Sequence, residues 1–115
     1  MRKDDSVRLL HMLEAALEAI SFAKNKTRKT LNTNRRLALA LVKDIEIIGE
    51  AATNVTAERR RALPQIPWNK IIGMRNRLIH AYFEINLDIL WKTVTEDLPP
   101  LISELEKIVL PENKA

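Results

Sequence analysis

Between Leu37 and Val55 the apolar residues Leu37, Leu41, Ile45, Ile48, Ala52 and Val55 recur every three or four positions. That is the period of one face of an α-helix and not of a strand. The pattern returns downstream as Leu87, Leu90, Val94, Leu98, Leu101, Leu105 and Ile108, and upstream as Val7, Leu10, Leu13, Leu17 and Ile20. Stripes of this kind must be buried against one another. Two Gly and 4% aromatic residues leave little material for a turn-rich β fold, whereas the abundant Leu, Ala, Glu, Lys and Arg propagate helices. In 115 residues there is room for one useful core and not two. The expected fold is therefore all-α: an up-and-down bundle of four to five helices forming one domain over residues 1–115.

Local signals set the expected boundaries. The first helix is expected over Ser6 to Lys24 with Asp5 or Ser6 as N-cap. Asn25 to Asn32 reads as a polar connection, and a second helix from Thr33 to Val55 carries the long stripe. Gly49 inside it costs about 1 kcal/mol relative to Ala, which suggests that another helix approaches there. A short helix from Thr56 to Leu63 is closed by Pro64, and Pro67 suits the first position of a helix running to Ala81. The last helix starts after Asn86 and is expected to bend at Pro99-Pro100, with Asp97 recapping its second half.

The composition removes several kinds of chemistry. Without cysteine there are no disulfides, thiolate nucleophiles or Cys-based metal sites. The opening Met1-Arg2-Lys3-Asp4-Asp5 lacks a signal peptide's apolar core, and the longest apolar run, Leu37 to Val42, is too short to span a bilayer. A soluble cytoplasmic protein is the expectation. The net charge of +4 permits an anionic partner. Lys24, Lys26, Arg28, Lys29, Arg35 and Arg36 lie in one stretch without an acidic residue, either a solvated connection or an RNA-facing patch.

Two histidines are available. His11 borders the apolar face of the first helix with no titratable neighbour in sequence, and reads as structural or superficial. His80 lies among Arg75, Asn76 and Arg77. On a helix Ile71, Met74, Leu78 and Tyr82 share a sector that also contains Arg75, so that arginine must find a partner, extend to solvent or face another subunit. Glu50 is one possible partner. Asn76 and His80 share a different face. Arg75 and His80 stand roughly 140° apart on an ideal helix, so joint action on one phosphate needs a loosened helix, a bent arginine arm or a twofold mate. RNA cleavage needs a base for the 2′-hydroxyl, an acid for the leaving oxygen and a cation for the phosphorane. An imidazole and a guanidinium supply such groups without a metal or cofactor. The alternative is a helix-end histidine beside an ion-paired arginine.

The segment Ile66-Pro67-Trp68-Asn69-Lys70-Ile71-Ile72-Gly73-Met74-Arg75-Asn76-Arg77-Leu78-Ile79-His80-Ala81-Tyr82 resembles the signature of HepT-like proteins of the HEPN superfamily. So do Ile47 to Ala52, the stretch from Trp91 to Pro100, and Arg8, His11, Met12 and Leu13 in the opening helix. The family pattern of Arg, four residues, His, one residue, Tyr is complete in Arg75, His80 and Tyr82. The resemblance implies a HEPN bundle that forms a homodimer with its motifs facing each other. It implies a metal-independent endoribonuclease toxin with Arg75 and His80 as the active pair and Asn76 orienting His80 or the phosphate. Lys24, Lys26, Arg28, Lys29, Arg35, Arg36 and Arg77 are then candidate RNA contacts. It further implies a type VII toxin–antitoxin pair, in which an MntA-like minimal nucleotidyltransferase neutralises the toxin by placing AMP on Tyr82. The bland reading of Tyr82 is packing. A noncatalytic subunit that presents Tyr82 or a nucleotide to the transferase is the alternative function.

Overall fold

The computed structural model describes residues 3–79 and 84–113. Among them the regular structure is helical, save for an isolated antiparallel bridge between Ile79 and Ile85. In order come α1 (Lys3–Ala23), α2 (Thr30–Thr33), α3 (Arg35–Thr53), α4 (Ala57–Ala62), α5 (Trp68–Ile72), α6 (Met74–Leu78) and α7 (Leu87–Lys92). A π-helical turn (Thr93–Asp97) then leads into α8 (Leu98–Asn113). The bundle is all-α, as the stripes require.

Helix α3 is the centre, contacted by α1, α2, α5, α6 and α7. Its expected face is buried throughout: Leu37, Leu41, Ile45, Ile48, Ala52 and Val55. The Asn34 side chain caps it by accepting the Leu37 N–H at 3.0 Å, so α3 starts slightly later than expected. The preceding turn, α2, buries Leu31 inside what reads in sequence as a polar connection. Thr56 caps α4 by accepting the Arg59 N–H at 3.2 Å, matching the expected short helix.

The face of α1 differs from the expectation. Leu9, Met12, Leu13, Ala16 and Ala19 are buried, whereas Val7 is 38% and Leu17 43% exposed. Two apolar registers coexist on this helix, and the one with small alanines faces the bundle, where short side chains let helix backbones approach. Asp5 is also not the N-cap. It lies inside the first turn, buried, and its carboxylate accepts from the Thr56 N–H at 3.0 Å and the Thr56 hydroxyl at 2.7 Å. The start of α1 is thereby tied to the cap of α4.

The single helix expected from Pro67 to Ala81 is broken. Pro67 is the N-cap of α5, Gly73 separates α5 from α6, and α6 ends at Leu78. Ile79 is extended (φ −105°, ψ 122°), a conformation that suits a β-branched residue. The Asn86 N–H donates to the Leu78 carbonyl at 2.7 Å, so the bridge to Ile85 takes over where helical hydrogen bonding stops.

The last stripe keeps its phase from Leu90 through Val94, Leu98 and Leu101 to Leu105, all buried, while the expected Leu87 and Ile108 are only partly buried and Val109 is buried at its end. The irregularity lies one turn upstream of the prolines, in the π-helical turn, where the Leu98 N–H reaches back to Thr93. Pro99 and Pro100 then fall in the first turn of α8, directly after the π-helical turn, where the helical hydrogen bonding is already irregular. Asp97 does not recap the helix. It pairs with Lys70 of α5 at 3.1 Å.

Candidate functional site

Met74 and Leu78 are buried and seat α6 on α3. Arg75 follows Met74 and stays half-exposed beside the α3 surface. Its Nε donates to Glu46 Oε2 at 2.9 Å, with the two side chains 42% and 38% exposed. The arginine thus finds a partner in Glu46, one turn before Glu50, the possible partner named from sequence. No other hydrogen bond joins the Arg75 side chain to a described residue. A guanidinium fixed through Nε keeps its terminal nitrogens available for a bidentate grip on an anion.

Arg75 lines an open groove of about 620 Å³. Its floor is α3, with Lys43, Glu46, Gly49 and Glu50; one wall is α6 with Arg75 and Asn76, and the other is α1 with Arg8 and His11. Asn76 is exposed and lines the groove. His11, read from sequence as structural or superficial, is exposed and shares this groove with Arg75. Glu46, Lys43, His11 and Arg8 are charged or titratable groove residues that sequence reasoning did not place at the site. The available signal was α3's outer face, where Lys43, Glu46, Ile47 and Glu50 fall on successive turns.

The remaining site candidates are placed elsewhere. Arg77 is exposed on α6 and is not part of the groove lining. Lys24, Lys26, Lys29, Arg35 and Arg36 are exposed around the junction between α1 and α3, at the opposite end of that helix pair from the groove. From Arg36 to Glu50 the helix rises roughly 20 Å. Arg28 in the same stretch is engaged, donating to Asp88 at 2.6 Å and to Asn32 at 2.8 Å. His80 and Tyr82 lie outside the described residues. The described helix α6 ends at Leu78, two residues before His80.

A smaller cleft of about 190 Å³ adjoins the groove through His11 and contains Glu14, Glu18 and Asp44. Asp44 is buried, and that burial pushes its carboxyl up to about 7 from 3.8; a hydrogen bond with the Glu18 carboxyl and its negative charge push the same way. Among the described residues no three His, Asp or Glu side chains are grouped to hold a metal ion. No described helix is long and apolar enough to cross a membrane.

A family model described as ribonuclease HepT-like matches residues 12–108 of the chain. Among curated proteins, the chain is 36% identical over 105 residues to a candidate RNase of Methanocaldococcus jannaschii, covering 91% of this chain and 96% of that protein. It is 39% identical over 100 residues to a probable ribonuclease HepT of Thermococcus cleftensis, with 84% and 91% covered. It is 35% identical over 104 residues to a candidate RNase of Caldanaerobacter subterraneus, with 90% and 93% covered. No solved structure matches the chain at a significant level.

Proposed function

The chain belongs to the HepT-like ribonuclease family, and from that premise we propose that it is an RNA-cleaving toxin acting through Arg75, Asn76 and His80. The observation that carries this reading is the state of Arg75: held through Nε by Glu46 at 2.9 Å, half-exposed, and on the wall of an open groove. A structural ion pair has no need of such a groove. A phosphate grip does. In the reaction the 2′-hydroxyl loses its proton to a base and attacks the adjacent phosphorus, while the 5′-oxygen leaves with a proton. A 2′,3′-cyclic phosphate and a free 5′-hydroxyl result. His80 exchanges the protons, Arg75 neutralises the phosphorane charge, and Asn76 fixes the phosphate, with no metal needed for any of these roles.

A homodimer with facing motifs would bring the two half-sites into one channel. Neutralisation fits the same site: AMP placed on Tyr82 by an MntA-like nucleotidyltransferase adds a phosphate seven residues from Arg75 and competes with RNA for the guanidinium. The test is expression in a bacterial host. The chain should arrest growth, His80→Ala or Arg75→Ala should relieve the arrest, and co-expression of the transferase should relieve it with a mass gain that Tyr82→Phe lacks. A chain that accepts AMP on Tyr82 yet is harmless alone is instead the noncatalytic acceptor subunit.

A further inference from the structure

The α1 wall of the groove contains an arginine that the reading above does not use. Among the described residues Arg8 Nε is buried without a hydrogen-bonding partner, and none of their ion pairs involves Arg8. Two carboxylates line the same groove, but Glu46 is bonded to Arg75 and Glu50 forms no ion pair with Arg8. A guanidinium with its Nε withdrawn from water and nothing bonded to it is costly in the free protein. Such a group is satisfied when an anion enters. Lys43 and His11 stand in the same groove, so the local field favours a negatively charged ligand. The groove's volume of about 620 Å³ lies within the ~300–1,000 Å³ of ordinary ligand sites.

We propose that Arg8 is a second phosphate grip, taking the RNA phosphodiester next to the one held by Arg75, so that the strand runs across α3 from α6 to α1. The inference rests on the ribonuclease reading for the identity of the anion. The two arginines divide the work. Arg75, oriented by Glu46, addresses the reacting phosphate, and Arg8 fixes the register of the strand without touching the bond that breaks. Arg8 is thus a positioning residue for cleavage and a binding residue for RNA.

The experiment uses the full chain in a His80→Ala background, so that RNA is bound and not consumed. Affinity for a fluorescent single-stranded RNA oligonucleotide is measured over a salt series for this parent, for added Arg8→Gln and Arg8→Lys, and for Lys107→Gln as a distant control. Arg8→Gln should weaken binding roughly tenfold or more, as expected for a lost charge-assisted contact. It should lower the slope of log affinity against log salt by about 0.7, the value for one phosphate contact on a single strand. Arg8→Lys should keep the slope and lose part of the affinity, because the charge remains and the fork does not. The melting temperature of Arg8→Gln should not fall, since an unpaired charge has been removed.

Unchanged affinity and slope in Arg8→Gln overturn the inference, and so does a fall in melting temperature with binding intact, which would mark Arg8 as purely structural. The two readings fail separately. If the wild type with its native His80 cleaves RNA and Arg8→Gln binds RNA like its parent, only the Arg8 role is lost. If the wild type cleaves nothing while Arg8→Gln still reduces binding and slope, the nuclease reading is lost and the grip stands.

Discussion

At the scale of single residues the site is governed by which carboxylate takes which cation. Glu46 holds Arg75 through Nε at 2.9 Å, and both are too exposed for the pair to contribute more than about 1 kcal/mol to stability. Glu46→Gln should therefore leave the denaturation midpoint nearly unchanged. It should nevertheless slow RNA cleavage roughly tenfold, because a misoriented fork loses transition-state contact; equal losses of stability and activity would point to a structural pair instead. Asp44 behaves in the opposite sense to an ordinary carboxylate. Its folded-state value of about 7 lies above the 3.8 of the unfolded chain, mainly through burial. The stability it contributes is then fully present below pH 4 and is lost as the pH rises through 7. Asp44→Asn should flatten this dependence and leave the variant more stable than the parent at pH 8. Urea denaturation at pH 5 and pH 8 checks it, and a stability difference identical at both values would contradict the assignment.

At the scale of elements, Gly49 marks where α5 crosses α3. A Cβ there would meet the Ile71 and Ile72 carbonyl oxygens at 3.6 and 3.7 Å, ordinary contact distances, so the helices are close without requiring glycine. Gly49→Ala should stabilise the fold by about 0.5–1 kcal/mol through helix propensity; a lower melting temperature would mean that the crossing is tighter than these distances. The Asp5 carboxylate, by contrast, joins two elements through two hydrogen bonds. Asp5→Ala should cost about 2–3 kcal/mol in chemical denaturation, because the part-buried Thr56 N–H and hydroxyl lose a charged acceptor. These elements also show where sequence reading stops. The α3 and α8 stripes were legible because each has one apolar register. On α1 two registers compete, Val7 with Leu17 against Leu9 with Met12, and only the packing of alanines on a neighbour selects between them. The break at Gly73, the extended Ile79 and the π-helical turn ahead of Pro99 are local departures from the helical path, which apolar periodicity does not encode.

At the scale of the whole molecule, helical class follows from hydrophobic period alone, whereas the central place of α3 emerges only from the packing. The site was legible in a different way. Arg75 and Asn76 belong to a motif written in consecutive residues, whereas Glu46, Lys43, His11 and Arg8 come from helices distant in sequence, and only folding gathers them at one groove. The basic stretch from Lys24 to Arg36 suggested an RNA surface by charge density, yet the fold places it at the far end of the α1–α3 pair. The central claim is that Arg75 and His80 act on one phosphodiester. The most direct test is cleavage of a labelled RNA oligonucleotide by the purified chain in excess chelator. The account predicts products ending in 2′,3′-cyclic phosphate, with the rate falling at least about 100-fold in both Arg75→Ala and His80→Ala. Cleavage that survives in either variant, or its absence from the wild type, would contradict it.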